Sequence, residues 1–143
     1  PIPETLNLLK KNITKNNLNN IKVFDIALSD QEKFVFMSTK FKNGINQSAV
    51  YAIKDNGDIK IKSNKLDNLL EFKNKNIYIK CDTEGHDINV LKGMNKILSN
   101  NYCFLQVENN ENNETIGNYL KKLNFILTQK NDRDYFFTNM KNR

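Results

Sequence analysis

Residues Ile77-Tyr78-Ile79-Lys80-Cys81-Asp82-Thr83-Glu84-Gly85-His86-Asp87-Ile88-Asn89-Val90-Leu91-Lys92-Gly93-Met94-Asn95-Lys96-Ile97-Leu98 pass from a short apolar run, through a charged turn, into an amphipathic repeat. Ile77, Tyr78, Ile79 and Cys81 predict a strand buried on both faces. Ile88, Leu91, Met94 and Leu98 recur near the helical period and predict one helix with a single buried stripe. A strand that turns directly into a helix is the unit of an α/β fold, whose polar groups gather at the carboxyl ends of its strands. Lys80 and Asp82 lie two apart and therefore share a face at that end, with Glu84 on the turn beyond. Because desolvating a lone lysine is costly, Lys80 needs an acidic neighbour. Two readings stand side by side: an ion pair that closes the strand end, or a polar functional site. Glu84 and Asp87 also fall in the first helical turn, where the macrodipole favours acids without any chemistry.

Upstream, Leu66 to Phe72 predicts a short helix. Strand-like runs at Lys33 to Met37, Ser48 to Ile53 and Ile59 to Ile61 are separated by Asn43-Gly44 and Asn56-Gly57, which predicts a β-hairpin insertion around residues 33–62. Ile21 to Leu28 reads as a strand ending in the turn Ser29-Asp30. Leu6, Leu9 and Ile13 after Pro3 mark an opening helix. Downstream, Cys103 to Val107 predicts a second buried strand that finishes in Glu108 and Asn109. Ile116, Tyr119, Leu120 and Leu123 mark another helix. Phe125 to Leu127 and Tyr135 to Phe137 form a hairpin across Asn131-Asp132-Arg133. Alternating strands and helices imply a three-layer, mostly parallel α/β domain closed by a C-terminal antiparallel hairpin. Residues 1–143 read as one domain, without linker or repeat.

A chain of 143 residues with 38% hydrophobic content suits one domain with a real core. No apolar run approaches a membrane span, and the amino end lacks a signal-peptide pattern. Cys81 and Cys103 fall in separate predicted strands, so they read as reduced core thiols of a cytoplasmic protein. The net charge of +6 comes almost wholly from lysine, with Arg133 and Arg143 the only arginines. Dispersed lysines in an asparagine-rich chain, without interleaved aromatics, argue against a nucleic-acid partner. Triplets of the glycosylation type at Asn12, Asn46 and Asn113 are what an asparagine-rich chain produces by chance. His86 is the only histidine, which excludes a multi-histidine metal site; it reads as a helix-capping residue or as a proton acceptor. The chain opens on Pro1, which suggests a trimmed or incomplete product.

The segment from Ile79 to Asp87, followed by Val90-Leu91-Lys92-Gly93, resembles the Lys-x-Asp-x-Glu-Gly-x-Glu signature and leucine-lysine-glycine helix of the FkbM-type methyltransferases. Asp87 stands where that signature ends in glutamate. Ala27-Leu28-Ser29-Asp30, Asn46-Gln47-Ser48 and Leu66-Asp67-Asn68-Leu69-Leu70 are similar to further pieces of the family in the same order, and the likeness runs nearly the length of the chain.

The resemblance implies a Rossmann-like sheet and transfer of a methyl group from S-adenosylmethionine to a hydroxyl of a sugar or secondary metabolite. It makes Asp82 and Glu84 candidates for orienting the acceptor or removing its proton, Lys80 their electrostatic partner, and His86 a further candidate. Ala27, Leu28 and Ser29 fall on the cofactor side; Ser48, Glu108 and Asn109 fall on the acceptor side. A cluster of Asp, Glu and Asn oxygens suits magnesium, while the lysine beside it favours a metal-free account. The family's opening glycine loop and ribose-binding acid have no counterpart here, since Gly44, Gly57, Gly85, Gly93 and Gly117 form no such loop. The two strands that carry them would lie between the Ile21 strand and the Ile77 strand. The sheet is therefore expected to be incomplete at its N-terminal side, with open edges that favour a homo-oligomer. A non-catalytic remnant that serves association is the competing expectation.

Overall fold

The computed structural model describes residues 1–38, 52–53, 57–109 and 114–140. Ser48 and the turn dipeptide Asn43-Gly44 lie outside them. The chain forms two units, one of Pro1–Ala27 with Glu32–Ser63, the other of Leu28–Gln31 with Asn64–Arg143.

In the first unit, helix α1 (Pro3–Lys15) starts with proline in its first turn, where the missing N–H costs nothing, and stops at Asn16. The strand expected from Ile21 to Leu28 shrinks to β1 (Ala27–Leu28). A strand exists only by pairing, and residues 21–26 have no ladder partner among the described residues. Strands β2 (Lys33–Ser38), β3 (Ala52–Ile53) and β4 (Ile59–Asn64) join β1 in a sheet of order β1-β4-β2-β3, with β2 antiparallel to both β3 and β4. Alternation sends Val35, Met37 and Ile61 into a core with Ile2 and Ala27, while Phe34 and Phe36 face outward. Lys60 covers the exposed Phe34 ring at 4.4 Å, a cation–π contact that partly shields it.

The second unit contains the quoted stretch. Strand β5 (Asn76–Cys81) leads to α2 (Asp87–Gly93) and α3 (Asn95–Asn100), then to β6 (Tyr102–Glu108), helix α4 (Glu114–Lys122) and the hairpin β7 (Ile126–Asn131) and β8 (Asp134–Thr138). The sheet order is β5-β6-β8-β7. β5 and β6 are parallel, in the register Ile79↔Leu105, and the C-terminal hairpin is antiparallel as expected.

Where one mostly parallel sheet was expected, the described residues form two sheets, and β5 with β6 is the parallel pair among the described ladders. Parallel neighbours need a crossover, and the described residues supply one, through α2 and α3. Leu91, Leu98, Leu105 and Leu120 are fully buried in the core between the helices and one face of the sheet. Each contributes roughly 2 kcal/mol by leaving water. The opposite face carries the linked rings of Tyr78, Phe104 and Phe136, and Tyr78 is 77% exposed. β5 is thus covered on one face only, against the sequence expectation of two.

The single expected helix over Ile88 to Leu98 is two. Met94 breaks it, and Asp67 then caps α3 by accepting the N–H groups of Lys96 and Ile97 at 2.8 and 3.0 Å. The helix expected from Leu66 to Phe72 is accordingly a single 3-10 turn, Leu66–Asn68, that aims Asp67 at α3. Cys81 and Cys103 are free and buried; burial pushes the Cys103 thiol up to about 11, and burial with Asp87 beside it raises Cys81 further.

Candidate functional site at the carboxyl end of the central strand

Beyond Cys81 the ladder to β6 ends, and the chain turns sharply through residues 82–86 into α2. Glu84 (φ 52°) and Gly85 (φ 90°) both take left-handed backbone. His86 closes the turn by donating its N–H to the Thr83 carbonyl at 3.3 Å. Asp87, buried at the start of α2, accepts the Thr83 N–H at 3.1 Å. The residue that departs from the family signature therefore holds the turn itself. Glycine accepts positive φ freely, whereas at Glu84 the conformation costs about 1 kcal/mol. Glu84→Gly is expected to be about 1 kcal/mol more stable than Glu84→Ala in urea unfolding. The reverse order would mean that the turn is not left-handed.

Lys80 Nζ lies 2.9 Å from Asp82 Oδ2, so the structure forms the pair that their spacing predicts. The hydrogen bond and charge of Asp82 raise the Lys80 ammonium above its usual range. The hydrogen bond from Lys80 holds the Asp82 carboxyl below its usual range despite some burial, with Glu108 adding in the same direction. A carboxylate held low is a weak base, so Asp82 is better suited to orienting and charge balance than to taking a proton. Oxygens of Asp82, Glu84 and Glu108 come within 4.8 Å of one another. This joins Glu108, 26 positions downstream of Asp82, to the turn, because β6 runs parallel to β5 and ends beside it. The donor set is all oxygen, as magnesium or calcium requires, but Lys80 already occupies one Asp82 oxygen. Asn109 is buried and donates its N–H to the Arg133 carbonyl at 2.8 Å.

At the end of the turn His86 meets Ser29, which is 1% exposed and whose Oγ is 3.0 Å from His86 Nε2. Its N–H donates to the Asn64 carbonyl at 2.9 Å, and its own carbonyl packs against Gly93 of α2. Residues 28–31 therefore belong to the same unit as the turn. Leu28 packs on the helix-covered core and Ala27 is buried in the first unit's core. The side chains of all three residues expected on the cofactor side are thus engaged within the protein. Among the described residues there is no glycine loop, and the strand-end acids Asp82 and Glu108 are engaged with Lys80 and with each other. The residues present do not by themselves fit S-adenosylmethionine. Sequence reading gave no site role to Asp30, whose Oδ1 accepts from Ser29 Oγ at 3.2 Å; its signals were the Ser29-Asp30 turn and its place in the family-like Ala27-Leu28-Ser29-Asp30.

This geometry, a strand end bearing a lysine-paired aspartate, a left-handed acidic turn and a glycine-packed helix, belongs to an α/β domain with its polar groups at the carboxyl ends of parallel strands. Among known protein families, the methyltransferase FkbM domain matches residues 1–137, and the chain belongs to that family. Neither the curated proteins nor the solved structures yield a match. No helix among the described residues is long and apolar enough to cross a membrane.

Proposed function

We propose that the two units are parts of one domain and carry the acceptor side of an S-adenosylmethionine-dependent O-methyltransferase acting on a hydroxyl of a sugar or secondary metabolite, in the cytoplasm and without a nucleic-acid partner. The observation that carries this reading is the convergence of Asp82, Glu84 and Glu108 beside Lys80, on a family-matched strand end. In this reading Asp82 and Glu84 accept hydrogen bonds from the acceptor's hydroxyls, and Lys80 balances their charge. His86 takes the proton of the reacting hydroxyl, because an imidazole is the side chain suited to that task near neutral pH. Glu108 and Asn109 belong to the acceptor side. Lys80 fills the place that a divalent metal would need at Asp82, which favours metal-free chemistry. When bound, the sulfonium cofactor supplies the methyl group, and its contacts come from further chain that continues the sheet beyond β5. The open edge of β5 supports that reading, since its only ladder partner among the described strands is β6. A homo-oligomer joined through such edges is the other way to complete the sheet, and a non-catalytic association module is the competing function.

Calorimetric titration of the 143-residue chain with S-adenosylhomocysteine, beside its mass in solution, separates these readings. The expected result is a folded sample that does not bind. One-to-one binding by a monomer would overturn the acceptor-side assignment, and binding only by a dimer would favour completion by a second copy.

A further inference from the structure

The hydroxyl of Ser29 has two polar neighbours, Asp30 Oδ1 at 3.2 Å and His86 Nε2 at 3.0 Å. A hydroxyl carries one proton, and a carboxylate carries none. The contact between Ser29 Oγ and Asp30 Oδ1 needs a proton between the two oxygens, and the serine must supply it. The contact with His86 then needs its own proton, which has to come from Nε2. Both contacts are satisfied together only when the imidazole holds its proton on Nε2.

The serine is also fixed in place. Its N–H is bonded to Asn64, its carbonyl abuts Gly93, and its side chain is buried. It is a rigid post beside the turn, its hydroxyl donating to Asp30 and accepting from His86.

We propose that Ser29 and Asp30 are positioning residues for His86, which orient its ring and hold the proton on Nε2, so that Nδ1 is the nitrogen that takes a proton from substrate. The identity of that substrate rests on the methyltransferase reading above. As the acceptor's O–H bond breaks, its electron pair stays on oxygen and the proton forms a new bond at Nδ1. The imidazolium charge is then stabilised through the serine hydroxyl by the Asp30 carboxylate. A histidine oriented by a hydrogen-bonded partner works in this way wherever tautomer and ring direction must both be set.

Because His86 is the only histidine, one pair of ring nitrogen signals reports the tautomer without ambiguity. Long-range proton–nitrogen NMR of the labelled chain, with the imidazole neutral, is expected to show the proton on Nε2. Ser29→Ala is expected to lower the ratio of the Nε2–H to the Nδ1–H form about tenfold, the worth of one good hydrogen bond. Asp30→Asn is the second variant. Its amide can donate to Ser29, which frees the serine proton for Nε2 and moves the histidine proton to Nδ1. A wild-type protein with its proton on Nδ1 would overturn the proposal, as would a ratio unchanged in either folded variant. The readout needs no turnover, so a failed methyl-transfer assay with the expected tautomers would count against the function and not against the clasp.

Discussion

Gly93→Ala is expected to cost about 3 kcal/mol of stability, read as a lower urea midpoint at unchanged slope. Gly93 ends α2 in ordinary helical backbone, where alanine would normally be the better residue by about 1 kcal/mol. What reverses the sign is the neighbour. A Cβ there would overlap the Ser29 carbonyl oxygen and lie 2.8 Å from its carbon. These are backbone atoms, pinned by the Ser29–Asn64 hydrogen bond, so no side-chain rotation relieves the overlap. Gly117 in α4 is the control, since a Cβ there meets nothing within 4 Å. Gly117→Ala should stabilise by about 0.5–1 kcal/mol on propensity alone. If both variants gained stability, the loop at Ser29 would not be docked on α2. Gly93→Ala should also loosen the hydrogen bond to His86.

Asn101→Ala is the second large effect, also expected at about 3 kcal/mol. Asn101 is 4% exposed; its amide donates to the carbonyls of Phe72 and Ile97, both at 2.8 Å, and its oxygen accepts the Lys75 N–H at 3.0 Å. The side chain thus replaces a missing stretch of backbone where α3 ends and the chain before β5 crosses it. Truncation would leave partners in an interior that water does not readily reach. Asn101→Asp should be damaging as well, since it keeps the acceptor and loses both donors. A loss below about 1 kcal/mol for the alanine variant would show that solvent replaces these bonds.

The sequence made the second unit legible because burial and periodicity coincide there. Leu91, Met94 and Leu98 are spaced as a helix requires, and Cys103 to Val107 alternate as a strand covered on one face does. The break at Met94 was hidden, because an intact apolar stripe says nothing of an aspartate, Asp67, 29 positions upstream of the Lys96 N–H that it caps. The strand at Ile21 to Leu28 was over-read for a related reason. β-branched residues favour extended backbone, but a ladder needs a neighbour that local sequence does not supply. In the site, Lys80 and Asp82 were legible from their spacing alone. Glu108 followed from the family likeness and the parallel crossover. The clasp between Ser29 and His86 was not legible, because it joins residues 57 positions apart through a loop that reads as an ordinary turn.

The hydrogen bond from Ser29 to Asn64 has a consequence for how such a chain can change over time. The polypeptide leaves the second unit after Gln31 and returns to it at Asn64, which is bonded to Ser29 two residues before the exit. The stretch between them, residues 32–63, belongs to the first unit. Lengthening or shortening it alters closure entropy only slowly, by about 0.6 kcal/mol for each doubling. Insertions and deletions within that stretch are therefore cheap, while the bond between Ser29 and Asn64 holds the chain at its neck. Variation in length has a natural place to accumulate there, since each change costs little closure entropy.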